Sequence, residues 1–270
     1  MFSRYFIKIS FKGTNYRGWQ IQPRAISVQG TLTKAINLIL AEEIGLTGAG
    51  RTDTGVHALN YYAHFDSVKD DLDSNDSLKR KLNGFLPFDI VVQNIIKVGN
   101  TDHARFDAVS RTYHYIIANN KNPFLKDFSY HYYGDIDIDS MNEACKILQK
   151  HNDFKSFSKL HGNNKTNICK IMDAEWRWIS DGILVFRITA DRFLRGMVRA
   201  IVGTLLPVGN GKIPGSQIET ILSEMNRGAE GMSAPANGLF LTGIRYPETI
   251  LLFEDETASA PILPVSDLFF

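Results

Sequence analysis

Hydrophobic and polar residues follow strand and helix patterns in turn along the first hundred residues. Strands are predicted where apolar and polar residues alternate, at 5–11, 60–66 and 90–98. A helix is predicted from Ser27 towards a stop at Gly45, because apolar residues recur there at every third or fourth position. Leu78, Leu82 and Phe85 recur at helical spacing and predict a second helix that ends before Pro87. This half is therefore predicted to be a β-α-β-α-β alternation.

The second half repeats these patterns with more strands than helices. Strands are predicted at 107–118, 129–133, 168–179, 182–190 and 239–246. Ser180-Asp181-Gly182 predicts a tight hairpin between two of them. Capping-box patterns predict helices that open at Ser140 and at Ser216. The first should bury Met141, Ala144, Cys145 and Leu148, and the second should bury Met225. A third, very apolar helix is predicted at about 193–206.

The two halves resemble each other in make-up, which predicts an α+β protein of two similar domains. Hairpins dominate the second half, so the sheets should be mainly antiparallel. We expect the domains to comprise residues 1–105 and 106–247. Residues 248–270 contain proline, acidic and aromatic side chains, and we expect them to form an acidic tail that lies on the body.

The charge of the chain is unevenly distributed. Its 270 residues include 30 basic and 29 acidic side chains, for a formal net charge of +1. No Lys or Arg follows Arg245, whereas five acidic residues do, so residues 1–245 hold 24 acidic side chains and a net charge of +6. A mildly basic body is compatible with a polyanionic partner but does not require one.

The sequence also bears on cellular location and on metal chemistry. Its apolar stretches are shorter than the roughly 20 residues of a transmembrane helix, and its start alternates like a strand and lacks a signal-peptide cleavage site. We therefore expect a cytoplasmic protein. Two cysteines, Cys145 and Cys169, suit a reducing compartment, and no Cys-x-x-Cys or His-x-Glu pattern indicates a zinc site.

The stretch 48–58 is the first candidate site. It places Asp53 between Arg51 and Gly55, with further glycines upstream, and glycine lets a ligand approach the main chain closely. Taken alone, a cluster of Gly and Asp is more typical of a turn in which Asp binds its own backbone. Other parts of the chain must decide between the two interpretations.

Arginines in the predicted helix at 193–206 favour the site. Arg192, Arg195 and Arg199 have the spacing of one helix side, and a guanidinium among apolar neighbours needs an anion. All three could instead point to solvent. For Arg199, which lies among apolar residues, we favour a buried pair with Asp53.

Tyrosines on the strand at 107–118 are a second indication. Tyr113 and Tyr115 alternate, so both should project from one face of the strand. Tyrosines on sheets usually pack in the core. A tyrosine beside a carboxylate and arginines, however, offers a flat surface on which an unpaired RNA base can stack.

Several motifs in a fixed order resemble one known family. They are Tyr16-Arg17-Gly18-Trp19-Gln20, Ser27-Val28-Gln29, the stretch 48–58, His103-Ala104-Arg105, Arg111-Thr112-Tyr113-His114-Tyr115, Met197-Val198-Arg199-Ala200-Ile201-Val202-Gly203 and Ala234-Pro235-Ala236-Asn237-Gly238-Leu239. Up to about Tyr246 the chain resembles the bacterial tRNA pseudouridine synthase A family. Thr54 stands where the family usually has alanine, and we expect activity to survive this difference.

The resemblance implies the pseudouridine synthase fold, with two domains that meet at a central RNA-binding cleft. It implies a homodimer that needs no cofactor and converts uridine to pseudouridine at positions 38, 39 and 40 of the tRNA anticodon stem-loop. It further implies that Asp53 is the catalytic aspartate and Arg199 its partner. By the same resemblance Tyr113 stacks on the target uracil, and Arg51 helps to hold the base out of its stack.

Two other functions are compatible with the residues. The protein could bind tRNA without modifying it, although a pure RNA binder has no need of a carboxylate facing a polyanion. It could also be a carboxylate-dependent hydrolase with His57 as the base that activates water. We expect His57 to be structural and to pack under the Asp53 loop.

Overall fold

The computed structural model describes residues 2–74, 76–158, 166–224 and 233–251. The chain divides into two compact units, the first running to Val109 and resuming at Leu241, and the second comprising Ser110–Phe240. The predicted burial of Met225 and the predicted tail beyond residue 251 lie outside the described residues. The domain limits expected from the sequence stay predictions. In the described ranges, every helix is too short or too polar to span a membrane.

The first unit follows the predicted alternation of strands and helices. Its elements up to Val109 are β1 (Ser3–Phe11), α1 (Val28–Leu40), β2 (Thr47–Gly48), β3 (His57–Ser67), α2 (Ser77–Phe85) and β4 (Ile90–Val98). β1 lies between β3 and β4 and is antiparallel to both, with Tyr5 opposite Phe65 on one side and Lys97 on the other. The short β2 pairs with β3 and leads into the Asp53 loop.

The start of α1 agrees with the sequence, but its predicted stop is wrong. The Ser27 side chain accepts a hydrogen bond from the Gly30 N–H and so caps the helix. The helix ends at Leu40 rather than near Gly45, because Ala41 takes the left-handed conformation that terminates helices (φ 54°).

Helix α2 ends before Pro87 as predicted and contains Leu78, Leu82 and Phe85. Leu78 and Leu82 are buried, whereas Phe85 is 50% exposed. The helix ends at Phe85, and the next residue, Leu86, is buried.

The described part of the second unit contains a hairpin and three α-helices. Its elements are β5 (Ser110–Ala118), β6 (Tyr130–His131), α3 (Ile138–Lys150), β7 (Ile171–Ser180), β8 (Ile183–Ala190), α4 (Met197–Gly209) and α5 (Gln217–Glu224). β8 pairs antiparallel with β5 and β7, while the two-residue β6 pairs parallel with β5. The predicted hairpin turn is confirmed, and Gly182 adopts a φ of 73° there.

Helix α3 begins earlier than its predicted capping box. The cap is Asp137, whose carboxylate accepts hydrogen bonds from the Ser140 N–H at 3.0 Å and from the Ser140 hydroxyl at 2.6 Å. Ser140 therefore lies inside the first turn, and the prediction that it opens the helix is wrong. The predicted inward residues are buried as expected: Met141, Ala144, Cys145 and Leu148.

Helix α4 begins later than predicted. Gly196 has a φ of 75°, which a regular helix does not accommodate, and the helix starts at Met197. Arg192 and Arg195 therefore precede the helix, and the prediction that they share a helix face with Arg199 is wrong. The buried side chain of Leu194 explains why the sequence pattern extended too far.

The last described strand, β9 (Leu239–Arg245), carries the chain back to the first unit. Within that unit, the Asn60 side chain donates a hydrogen bond to the Thr242 carbonyl at 2.7 Å. The predicted α+β class with mainly antiparallel pairing is confirmed. The central RNA-binding cleft stays a prediction.

Candidate active site

The Asp53 loop joins β2 to β3 in the first unit and closes on itself as a tight turn. The Val56 N–H donates to the Asp53 carbonyl at 3.2 Å, and Gly55 has the positive φ (82°) that the third position of a type II turn requires. Asp53 is half-buried and Arg51 is exposed. The backbone turn that the sequence suggested is therefore present, and it fixes the position of the Asp53 Cα atom.

A second segment, residues 13–19, packs its backbone against the loop. The Trp19 N–H donates to the Thr52 carbonyl at 3.4 Å. A Cβ atom at Gly13 would lie 1.9 Å from the Val56 carbonyl oxygen, and one at Gly18 would lie 2.3 Å from that of Thr52. Only glycine allows so close an approach, so these two residues hold the loop in place.

The aromatic rings of Trp19 and Tyr61 pack against the start of the Asp53 loop. Trp19 is 2% exposed, and its ring centroid lies 4.2 Å from that of Tyr61. The Tyr61 hydroxyl binds the backbone of Gly50, accepting from its N–H at 3.3 Å and donating to its carbonyl. A Cβ atom at Gly48 would lie 2.4 Å from Trp19 Nε1, so this glycine makes room for the indole. The support is rigid because it is tightly packed.

His57 lies under the loop as a structural residue. It is 1% exposed, and its Nδ1 accepts a hydrogen bond from the Gly13 N–H at 3.1 Å. In the loop itself, the Thr52 Oγ1 is buried without a hydrogen-bond partner in the described part of the chain. Buried polar atoms of this kind are rare in native structures.

Arg51 lines a cavity of about 140 Å³ together with Arg105, Trp19 and Gln29. Gln29 organises the wall of this cavity. Its side-chain oxygen accepts from the Ile21 N–H at 2.9 Å, and its amide group donates to the Leu46 carbonyl at 2.7 Å. The cavity therefore has one wall that hydrogen bonds of Gln29 hold in place, and two arginines among its lining residues.

The structure distinguishes the two tyrosines of β5 in the second unit. Tyr115 is fully buried, and its hydroxyl donates to the Pro235 carbonyl at 2.9 Å. Burial raises the pKa of this phenol far above its usual range. Tyr113 is only half-buried, and its ring meets that of Phe193 edge to face at 5.2 Å. Tyr115 is thus a core residue, whereas Tyr113 keeps an accessible surface.

Arg199 lies in the first turn of α4 and is half-buried. Its Nε donates to the Ala234 carbonyl at 2.7 Å, and its own carbonyl accepts from the Ala234 N–H at 3.0 Å. These two hydrogen bonds fix the position of the Arg199 Nε atom. It also ties the motif that starts at Ala234 to the motif that contains Arg199.

The predicted site residues thus belong to two sets. Arg51 and Asp53 share one loop of the first unit, and Tyr113 and Arg199 lie on β5 and α4 of the second. The ion pair between Asp53 and Arg199 stays a prediction. In the described ranges, the structure brings no three His, Cys, Asp or Glu residues together where they could hold a metal ion.

Two residues of the cavity wall were not assigned a role from the sequence. Gln29 belongs to the motif Ser27-Val28-Gln29 and is a polar residue in the first turn of an amphipathic helix, and these were the available signals. Arg105 belongs to one of the ordered motifs, but the motif alone does not indicate that its side chain reaches the cavity of Arg51.

Comparisons with known proteins identify the class and then the family. Residues 144–247 match a family model described as tRNA pseudouridine synthase, which indicates the class of protein. A protein of Bacteroides fragilis named tRNA pseudouridine synthase A is 50% identical over 92% of this chain and 98% of its own length. Proteins of the same name from Bacteroides thetaiotaomicron and Caldicellulosiruptor bescii are 48% and 36% identical, over 94% and 89% of this chain and 94% and 98% of their own lengths. The chain belongs to the tRNA pseudouridine synthase A family, which confirms the resemblance seen in its motifs.

Proposed function

We propose that this protein isomerises uridine to pseudouridine in the anticodon stem-loop of tRNA, at positions 38, 39 and 40. The observation that carries the proposal is the similarity to tRNA pseudouridine synthase A over more than nine-tenths of the chain, with Asp53 in a loop that glycines and aromatic rings hold in place. The activity makes the protein an isomerase that acts on its substrate without a cofactor.

The reaction exchanges one bond to the ribose for another. The bond between N1 of uracil and C1′ of the ribose breaks, the base turns, and C5 forms the new bond to C1′. C5 loses its proton and N1 gains one, so the product is an isomer of the substrate. The Asp53 carboxylate is the group that starts this exchange, either by attack on the nucleoside or by removal of a proton from the sugar.

The other proposed site residues position the base and the carboxylate. Arg199 is the counter-ion of the Asp53 carboxylate. Tyr113 stacks on the uracil, a role that suits its half-buried ring, whereas the buried Tyr115 has its hydroxyl engaged in the core. Arg51 occupies the space that the flipped base leaves, which offsets part of the few kcal/mol that unstacking costs.

A homodimer in the cytoplasm is part of the same proposal. Residues 1–245 carry a net charge of only +6, so one tRNA that contacts both subunits would meet twice the basic surface of one chain. Light scattering on the purified protein should give a mass near twice 30.4 kDa. A mass of one chain at the concentrations of the activity assay would reject the dimer.

The geometry of His57 argues against the hydrolase alternative, in which this histidine would be the base that activates water. His57 is buried and its Nδ1 is engaged with the Gly13 N–H, so it is badly placed to activate water. Binding without modification is the remaining alternative. It predicts that tRNA from cells that lack the protein keeps its full set of pseudouridines.

The proposal is tested by mapping pseudouridine in tRNA from cells with and without the gene. We expect pseudouridine at positions 38, 39 and 40 to disappear in the deletion strain and to return when the wild-type gene is restored. Restoring an Asp53→Ala gene should leave these positions as uridine. Pseudouridine that persists at all three positions in the deletion strain would overturn the proposal.

A further inference from the structure

Phe88 lies in solvent at the tip of a turn in the first unit. It is the most exposed large hydrophobic residue in the described part of the chain, with a relative exposure of 107%. The Ile90 N–H donates to the Pro87 carbonyl at 3.0 Å and closes the turn, so Phe88 occupies one of its two central positions. A residue this exposed packs in no core, so burial does not explain why it is aromatic.

Asp89, the other central residue of the turn, fixes the turn to the segment that follows β1. Its carboxylate accepts hydrogen bonds from the Tyr16 hydroxyl at 2.5 Å and from the Asn15 side-chain amide at 3.1 Å. Its carbonyl accepts from the Lys12 N–H at 2.9 Å. Three hydrogen bonds to one residue leave the turn little freedom, so the fold sets the position of the Phe88 backbone.

The turn lies close to the Asp53 loop. Phe11, the last residue of β1, lies opposite Ala58 of β3 on one side and opposite Ile90 of β4 on the other. Asp53 precedes Ala58 by five residues, and Phe88 precedes Ile90 by two. Neighbouring strands lie about 4.8 Å apart, so the starts of β3 and β4 are separated by about 10 Å. The Asp53 loop and the turn are therefore at the same end of these three strands.

The surface around Phe88 suits RNA. Helix α2, which leads into the turn, contains three consecutive basic residues, 79–81, and no acidic residue. Lys79 pairs with Asp76, which precedes the helix, at 2.8 Å. The Phe85 ring, three residues before Phe88, is 50% exposed. Exposed aromatic rings beside basic side chains are typical of surfaces that bind single-stranded nucleic acid, whereas lysine is depleted from contacts between protein chains.

We propose that Phe88 stacks on an unpaired base of the tRNA anticodon loop, close to the uridine on which Asp53 acts. The inference rests on the proposed function, since that function supplies the RNA. A nucleic-acid strand advances about 3.4 Å per nucleotide, so a separation of about 10 Å corresponds to a few nucleotides. Stacking on an aromatic ring needs an unpaired base, which a loop offers and a paired stem does not.

Binding to a fluorescently labelled anticodon stem-loop tests the proposal, in an Asp53→Asn background so that no turnover interferes. Three variants are compared with this parent: Phe88→Ala, Phe88→Leu and Phe88→Tyr. Phe2→Ala is the matched control, because Phe2 is 45% exposed and lies at the opposite end of β1. The Phe88 variants should unfold at the same urea concentration as the parent, since the replaced ring makes no packing contacts in the core.

Loss of one stacked base has a defined size. For Phe88→Ala we expect the affinity to fall by about tenfold. Phe88→Leu should lose a similar amount, because leucine is apolar but has no flat ring. Phe88→Tyr should bind within about twofold of the parent, because it keeps the ring. Phe2→Ala should bind like the parent.

Stem-loops with one abasic nucleotide identify the base. Each nucleotide of the loop is replaced in turn, and each RNA is measured with the parent and with Phe88→Ala. At one loop position we expect the losses from the two changes not to add, because that RNA already lacks the base on which Phe88 stacks.

The proposal is overturned if Phe88→Ala binds as tightly as the parent, if Phe88→Leu binds as tightly as Phe88→Tyr, or if the losses add at every loop position. A Phe88→Ala protein with the parent's affinity but a lower mass in light scattering would overturn it in favour of a contact between copies of the chain. Failure of the proposed function has another signature, since the wild-type protein would then form no pseudouridine in the stem-loop, whatever the affinities of the variants.

Discussion

At the scale of single residues, Gly13 is where the absence of a side chain matters most. Its position in the sequence, between a predicted strand and a loop, indicates a turn and nothing about a distant contact. In the fold, its Cα faces the carbonyl of Val56 across 43 positions of sequence, with no room for a methyl group. The sequence could not predict this approach because it depends on tertiary packing, not on local conformation.

Replacing Gly13 with alanine should therefore displace the Asp53 loop. The new Cβ would meet the Val56 carbonyl oxygen at 1.9 Å, so the backbone of one segment must move. We expect a loss of about 1–3 kcal/mol in the free energy of unfolding, measured by urea denaturation, and a lower kcat for pseudouridine formation. Gly45→Ala is the control, because a Cβ there has no atom within 4 Å. Equal stability of the two variants would refute the contact.

At the scale of elements, periodicity predicted the helices and strands well but their ends poorly. The inward residues of α3 agree with the pattern because burial follows helical spacing. The cap of the same helix does not agree with the pattern. Ser140 and Asp137 are both favourable N-cap residues, and only the backbone conformation determines which of them caps the helix. The start of α4 was mispredicted for the same reason. The sequence does not show that Gly196 has a φ of 75°, which leaves Arg192 and Arg195 outside the helix.

The next prediction concerns how the stability of the fold depends on pH. It rests on His64 of β3, whose Nδ1 accepts a hydrogen bond from the Ala104 N–H. Burial, followed by the nearby Arg4 charge, lowers the pKa of His64 to about 4. The unfolded chain takes up this proton below about 6.5, but the folded chain does so only near 4. The stabilisation is therefore complete above pH 6.5 and is lost as the pH falls towards 4, by on the order of 3 kcal/mol. The other charged or titratable groups that act on His64 are His103, Asp66 and Asp107.

The measurement is the free energy of unfolding between pH 7 and pH 4 for the wild type and for His64→Asn. The asparagine oxygen can still accept the Ala104 N–H but does not titrate, so the variant should lose less stability over this range. His114, whose pKa burial also lowers to about 4, is present in both proteins and contributes equally. Parallel pH profiles would contradict the role given to His64.

At the scale of the whole molecule, the ordered motifs proved more informative than any element. Each motif alone is compatible with packing or turns, and Tyr115 is an example of a motif residue that serves the core. Together they identified a family that 50% identity over 92% of the chain confirms. The motifs named candidate residues for the site, whose roles stay predictions, while the fold was needed to show that Arg105 and Arg51 line one cavity.

The central claim is that Asp53 performs the isomerisation, and tritium release from tRNA that carries 5-tritiated uridine tests it most directly. Each uridine converted loses its C5 hydrogen, so the wild type should release tritium into water. Asp71→Asn, a change of the same kind at an exposed acid in another turn, should release as much. Asp53→Asn should release none while it still binds tRNA. Release by Asp53→Asn at the wild-type level, or no release by the wild type, would contradict the account.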